Sequence, residues 1–179
     1  MMQHAPLFIV LLPVSAALLC MLFSRMQKNL GSWIVIGSIA AAFMSAVTVL
    51  QQVIADGGKP IHYWMGNWQP PLGIEFVIDP ISGVLAVLIT FISLLGSLYS
   101  LPFVKEEGWL HIGGYYTLYG LMTVGMCGMV ITGDVFNLYV FLEVMSLSGY
   151  GLIALGGKKS MLAAFRYLLI GTIGASLYL

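Results

Sequence analysis

Six long runs of apolar residues, separated by short polar breaks, dominate the hydropathy pattern. They cover residues 6–23, 32–53, 81–104, 112–131, 137–155 and 160–179. Each is near the ~20 residues that a helix needs to cross the hydrocarbon of a bilayer. Lipid offers a bare backbone no hydrogen-bond partner, so the helix, which satisfies itself, is the form expected for every run. A β-barrel would alternate apolar and polar at every second position, and the stretch 81–95 does not. The predicted fold is all-α: one polytopic transmembrane domain over 1–179 with about six helices. The long break at 54–80 carries Gly57, Gly58, Pro60, Gly66, Pro70, Pro71 and Gly73. Two short extended pieces, 61–64 and 74–77, predict a small outer hairpin there. Trp64 and Trp68 suit an interfacial aromatic belt.

Composition agrees with this pattern. Of 179 residues, 60% are hydrophobic and 8% charged, and the mean hydropathy is +0.98. So few charges argue against a soluble domain, and so many apolar residues exclude intrinsic disorder. Seven basic and seven acidic residues cancel. The basic ones are scattered, which argues against nucleic acid as a partner. Ahead of the first run stand only Met1-Met2-Gln3-His4, with no basic segment, so a retained span is expected rather than a cleaved leader. Arg25, Lys28, Lys105, Lys158 and Lys159 fall in the breaks after runs one, three and five. Lys59 alone falls on the other side. The positive-inside rule then places the N-terminus outside a cell (inner) membrane. Cys20 and Cys127 lie within apolar runs, and His4, His62 and His111 are far apart in sequence. No ligand spacing for zinc or an iron–sulfur cluster appears, and no cofactor or metal is expected. Nor is there a nucleophile–base motif or a phosphate-binding glycine loop, so the chain is not expected to be catalytic by itself.

Two ionisable residues, Glu143 and Arg166, lie well inside apolar runs, where charge is costly and usually serves a pathway or a partner. Tyr139, Glu143, Ser146 and Tyr150 recur at i−4, i, i+3 and i+7, forming one polar stripe on an apolar helix. Hydroxyls flanking a carboxylate suit the holding of water and the passing of a proton. The alternative is a structural carboxylate among packing tyrosines. At 1.5 Å per residue, Glu143 lies about 18 Å and Arg166 about 9 Å from the same membrane face, so a pair between adjacent helices is within reach. The competing expectation is that Arg166 snorkels to the surface. Asp134 and Asp79 are secondary candidates. Each stands directly before a run and also reads as a helix cap.

Two strings carry a family resemblance. One runs from Leu72 through Gly73-Ile74-Glu75-Phe76-Val77-Ile78-Asp79-Pro80 to Ser82. The other is Thr132-Gly133-Asp134-Val135-Phe136-Asn137-Leu138-Tyr139-Val140-Phe141-Leu142-Glu143, followed in the sixth run by Arg166-Tyr167-Leu168-Leu169. Together they resemble the proton-conducting, antiporter-like subunits of Mrp-type sodium/proton antiporters, membrane-bound hydrogenases and respiratory complex I. The second string is most like the D-type Mrp and hydrogenase branches and less similar to complex I. The resemblance implies a longer subunit of two inverted five-helix repeats with broken helices and a central chain of buried charges. It implies that Glu143 is the essential buried carboxylate of the proton pathway. Arg166 occupies a place where lysine is common. That is a departure, because arginine holds its proton far more firmly. Other membrane subunits, the bilayer and protons are the implied partners, with sodium a second candidate ion. The chain stops inside its sixth run, before the conducting lysines. A fragment, or one piece of a split subunit, is therefore expected. The alternative from another class is a non-conducting assembly subunit of such a complex, which could itself be an oxidoreductase, of the NADH dehydrogenase or the hydrogenase kind.

Overall fold

The computed structural model describes residues 4–27, 30–68, 73–104 and 109–178. Six helices follow the six apolar runs: α1 Ala5–Met26, α2 Leu30–Ala55, α3 Pro80–Val104, α4 Trp109–Ile131, α5 Val135–Ala154 and α6 Lys158–Tyr178. All six are long and apolar enough to span a membrane. The bounds differ from the hydropathy reading by at most a few residues, because polar caps and turn residues extend the helices past the apolar runs. Of the residues read for orientation, Lys28 and Lys105 lie outside the described part, as do Pro70, Pro71 and Leu72 of the long loop and Leu179.

Helix α4 occupies the centre, against α1, α2, α3 and α5, while α6 packs on α5 at the periphery. Apolar side chains gain little by leaving lipid for a neighbouring helix, so close backbone approach and van der Waals contact hold such bundles together. Glycines provide that approach on α4. A methyl group at Gly125 would stand 2.6 Å from Met145 Cβ, and one at Gly128 would run into the Phe141 ring. Two cores result. Ile9, Val49, Val53, Phe76, Ile78 and Ile131 fill one end of the bundle. Cys20, Val35, Ile39, Ile112 and Tyr116 fill the other.

The expected hairpin is present. Strand β1 Ile61–Trp64 pairs antiparallel with β2 Glu75–Ile78, opposing Ile61 to Ile78 and Trp64 to Glu75. The second strand starts one residue later than its sequence reading, because Phe76 and Ile78 are the residues that turn inward, and both are fully buried. Gly58, with φ +81°, supplies the left-handed turn that ends α2 and leads into β1. The hairpin docks on the α4–α5 turn. The Gly133 N–H donates to the Glu75 carbonyl at 2.9 Å, and Phe76 bridges to Thr132. Lys59 lies at this hairpin end of the bundle, while Arg25, Lys158 and Lys159 lie at the opposite, lysine end.

On the outer side of the hairpin, Glu75 Oε1 accepts from His62 Nδ1 at 2.7 Å and from Trp64 Nε1 at 3.0 Å. These hydrogen bonds, that from His62 foremost, hold the Glu75 carboxyl below its ordinary value of 4.5. A carboxylate depressed on folding contributes its stability fully above that ordinary value and loses it as pH falls through the folded one. We expect the 19F signal of 5-fluorotryptophan at position 64 to shift with a midpoint below the ordinary glutamate value. A Glu75→Gln variant should show no such titration. A midpoint at or above the ordinary value would contradict this account of the hairpin.

Candidate functional site

The polar stripe of α5 has a direction fixed by its neighbours. Phe141 and Met145 face α4, where Gly128 and Gly125 receive them. At 100° per residue, Glu143 then lies on nearly the opposite side of the helix. That side faces α6. Tyr139 stacks on Tyr178 with ring centroids 6.4 Å apart and planes 8° apart. Tyr150 meets Tyr167 edge to face at 4.8 Å, and its hydroxyl lies against Gly171. The Tyr139-to-Tyr150 and Tyr167-to-Tyr178 intervals are equal, so the antiparallel register sets Glu143 opposite Gly174 and Ser146 opposite Gly171.

Gly174 is itself exposed, and a methyl group there would meet nothing within 4 Å, so the α6 face opposite Glu143 is open to the outside of the bundle. Glu143 is half-buried rather than buried, and no charged side chain is fully buried among the described residues. The reason is its position on a seam whose opposing face carries glycines. Nor does the direct Glu143–Arg166 ion pair form. Among the described residues the one ion pair within 4.0 Å is His62–Glu75. Arg166 is exposed and shares its face with Ile170, Ile173 and Leu177, all exposed. Tyr167, one residue on, is the side chain that faces α5, so Arg166 points about 100° away from the seam.

Both aspartates act as helix caps. Asp134 caps α5 by accepting from the Phe136 N–H at 3.0 Å. Asp79 caps α3 reciprocally with Ser82. Its carboxylate accepts from the Ser82 N–H at 2.7 Å, and its own N–H donates to the Ser82 hydroxyl at 2.8 Å. The Ser82 N–H is the main cause holding the Asp79 carboxyl below its ordinary value.

Several arrangements lie beyond what the sequence pattern indicates. Tyr167, Gly171, Gly174 and Tyr178 follow 4-3-4 spacing, the signature of one helix face. The hydroxyls of Thr90, Ser93, Ser97 and Ser100 on α3 follow 3-4-3 spacing, and all four residues are buried. Against them, the Tyr116 hydroxyl lies 3.0 Å from the Ser100 hydroxyl, and Tyr119 donates to the Ser93 carbonyl at 3.0 Å. Residues distant in sequence also come together at the hairpin. His4 and His62 line one cleft of about 760 Å3 at the hairpin end, and His4 Nδ1 lies 3.0 Å from the Tyr63 hydroxyl.

No family model matches the sequence. A protein named as the N-type subunit of an NADH-quinone oxidoreductase, from Desulforudis audaxviator, is 40% identical over 100% of this chain and 36% of its own length. The D-type subunit of a Na(+)/H(+) antiporter from Alkalihalophilus pseudofirmus is 28% identical over 99% of this chain and 35% of its own. Among solved structures, the membrane-bound sulfane sulfur reductase, an archaeal respiratory membrane complex, holds a chain that superposes with a TM-score of 0.88. The identity is 30%, over 97% of this chain and 35% of that one. The chain therefore spans about a third of the length of the relatives it matches. The 40% relative carries the name of the respiratory branch, to which the string before Glu143 is expected to be less similar. That string does not by itself sort the branches.

Since Glu143 and Arg166 face different directions, they should act independently. We expect the effects of Glu143→Gln and Arg166→Ala on thermal stability in detergent to add within about 0.5 kcal/mol. A larger coupling energy would restore the ion pair.

Proposed function

Because the chain belongs with the antiporter-like membrane subunits and matches their N-terminal part, we propose that it forms part of a proton- or cation-translocating subunit of a multi-subunit membrane complex. Its relatives bear the names of a sodium/proton antiporter and a respiratory dehydrogenase, and either setting suits an integral membrane bundle of six candidate spans.

The observation that carries this reading is Glu143 on the α5–α6 seam. A carboxylate at membrane depth is expensive to keep and is rare without a task. No hydrogen bond or ion pair locks Glu143 among the described residues, and room lies opposite it. A carboxylate so placed can hold water and change its protonation state without breaking a structural contact. Tyr139, Ser146 and Tyr150, on the same face, line the path along the seam. Arg166 keeps its charge and enters only as a fixed positive charge outside the seam. Its exposed position fits the subunit's contact with other membrane subunits of the complex. Protons are the ion this chemistry serves first, with sodium the alternative. The basic residues of the lysine end favour the inner side of a cell (inner) membrane, with the N-terminus outside.

Replacing Glu143 by Gln keeps the shape and removes the proton-binding charge. In the complete complex, reconstituted in vesicles, Glu143→Gln should reduce ion translocation to background while the complex assembles at the native level. Undiminished translocation by the assembled variant would overturn the proposal.

A further inference from the structure

At their lysine end, α5 and α6 leave an apolar recess of about 430 Å3 on the outside of the bundle. Tyr150 and Ala164, both buried, form its floor, and Leu147, Met161 and Phe165, all exposed, form its rims. From the level of Leu168 to that of Met161 it runs about 10 Å along the seam, at 1.5 Å rise per residue. Lys158 stands one turn beyond Met161, where the recess meets the membrane face. At 100° per residue, Lys158 lies about 20° from Phe165 around α6, on the side of the recess. Lys159 lies about 120° from Phe165 and shares another face with Arg166.

Lys158 also opens α6. Gly157 before it brings no side chain to cap the helix, and the first turn holds no acidic residue. The first N–H groups of this 21-residue helix therefore present their partial positive charge at that end. The carbonyls that end α5 would repel an anion, but they are occupied. Ile153 accepts from the Gly156 N–H at 3.1 Å and Ala154 from the Gly157 N–H at 3.4 Å. The Leu155 carbonyl lies 3.2 Å from His111 Nε2. Among the described residues, Lys158 has no ion-pair partner within 4.0 Å.

We propose that this recess, with Lys158 at its mouth, binds one anionic phospholipid. An acyl chain fills the recess, and the headgroup phosphate rests on the Lys158 ammonium and the first amides of α6. Size favours a lipid chain over a protein helix. A helix 10 Å long and 10–12 Å across takes up roughly 800–1,200 Å3, so it could lie over the recess but not enter it. A flexible chain enters and recovers the van der Waals contacts that the gap between α5 and α6 forfeits. Charge selects the headgroup. A zwitterionic lipid places its own ammonium beside Lys158, whereas a net negative one matches both the lysine and the helix start. The site is independent of the role given to Glu143.

The test uses the complete complex in phosphatidylcholine vesicles that carry a trace of one photoreactive probe. The probes are phosphatidylglycerol and phosphatidylcholine with the same diazirine-bearing acyl chain, and labelled peptides are mapped by mass spectrometry. Phosphatidylglycerol should label residues 147–154 and 161–168 several-fold more than phosphatidylcholine does. Lys158→Gln should bring that ratio close to one, and Lys158→Arg should keep it. Lys159→Gln, next in sequence but on another face, should keep it as well. In the native complex, raised salt should lower the ratio too, a reading that needs no variant. Equal labelling by the two probes overturns the proposal, because the recess then holds whatever lipid surrounds the bundle. A ratio indifferent to both Lys158→Gln and salt overturns it likewise. Absence of label from both segments, the result if a helix of another polypeptide covers the recess, also overturns it.

Discussion

The bundle depends on how closely α4 can approach its neighbours. In lipid, an apolar face gains nothing from merely being covered, so helices associate where backbones come close enough for dense van der Waals contact. Gly125 and Gly128 allow this toward α5, where Met145 and Phe141 enter the spaces they leave. Phe141 in turn receives the Phe76 ring at 6.4 Å, which seats the hairpin. The placement of Glu143 follows from the same contact. Once the Phe141–Met145 face is committed to α4, a residue two positions beyond Phe141 has to turn away from it, toward α6. The direction of the carboxylate on α5 is thus set by two glycines on another helix.

The two hydroxyl-bearing interfaces behave differently for a reason visible in their bonds. Between α3 and α4, tyrosine hydroxyls are spent on Ser100 and on the Ser93 carbonyl, and the side chains around them are buried. Directional bonds in a low-dielectric interior hold that interface in one arrangement. Between α5 and α6, tyrosines meet through their rings, and the Tyr150 hydroxyl sits in the space left at Gly171. Directional hydrogen bonds tie the first interface, whereas ring contacts and glycine spaces pack the second.

The helices are legible in the sequence because the bilayer leaves the backbone no alternative, so hydropathy alone marks them. The α5 stripe is legible from 3.6-residue periodicity. What periodicity on one helix does not contain is the azimuth of the next. Heights along the membrane bring Glu143 and Arg166 within reach, yet Arg166 is turned about 100° from the residue that faces α5. The sequence overstates the burial of Glu143 for a related reason: the opposing face carries glycine at 174, a residue type that on sequence alone signifies only close packing. The hairpin strand is displaced by one residue because alternation alone does not say which parity faces inward until Phe76 and Ile78 find the α4–α5 turn. The meeting of His4 with the hairpin joins parts of the chain 59 residues apart, and no local pattern encodes it.

The bridge between Phe76 and Thr132 also has a consequence for assembly. The hairpin itself closes a short loop, but its docking partner emerges only after α3 and α4 have been made and placed. Closing that longer loop carries an entropic penalty that the local strand pairing does not. The buried side of β2, with Phe76 and Ile78, shares a core with α1 and α2, and its cover is completed by Ile131 at the end of α4. Strand docking on Thr132 thus ties the loop after α2 to the turn after α4, across the whole of α3 and α4.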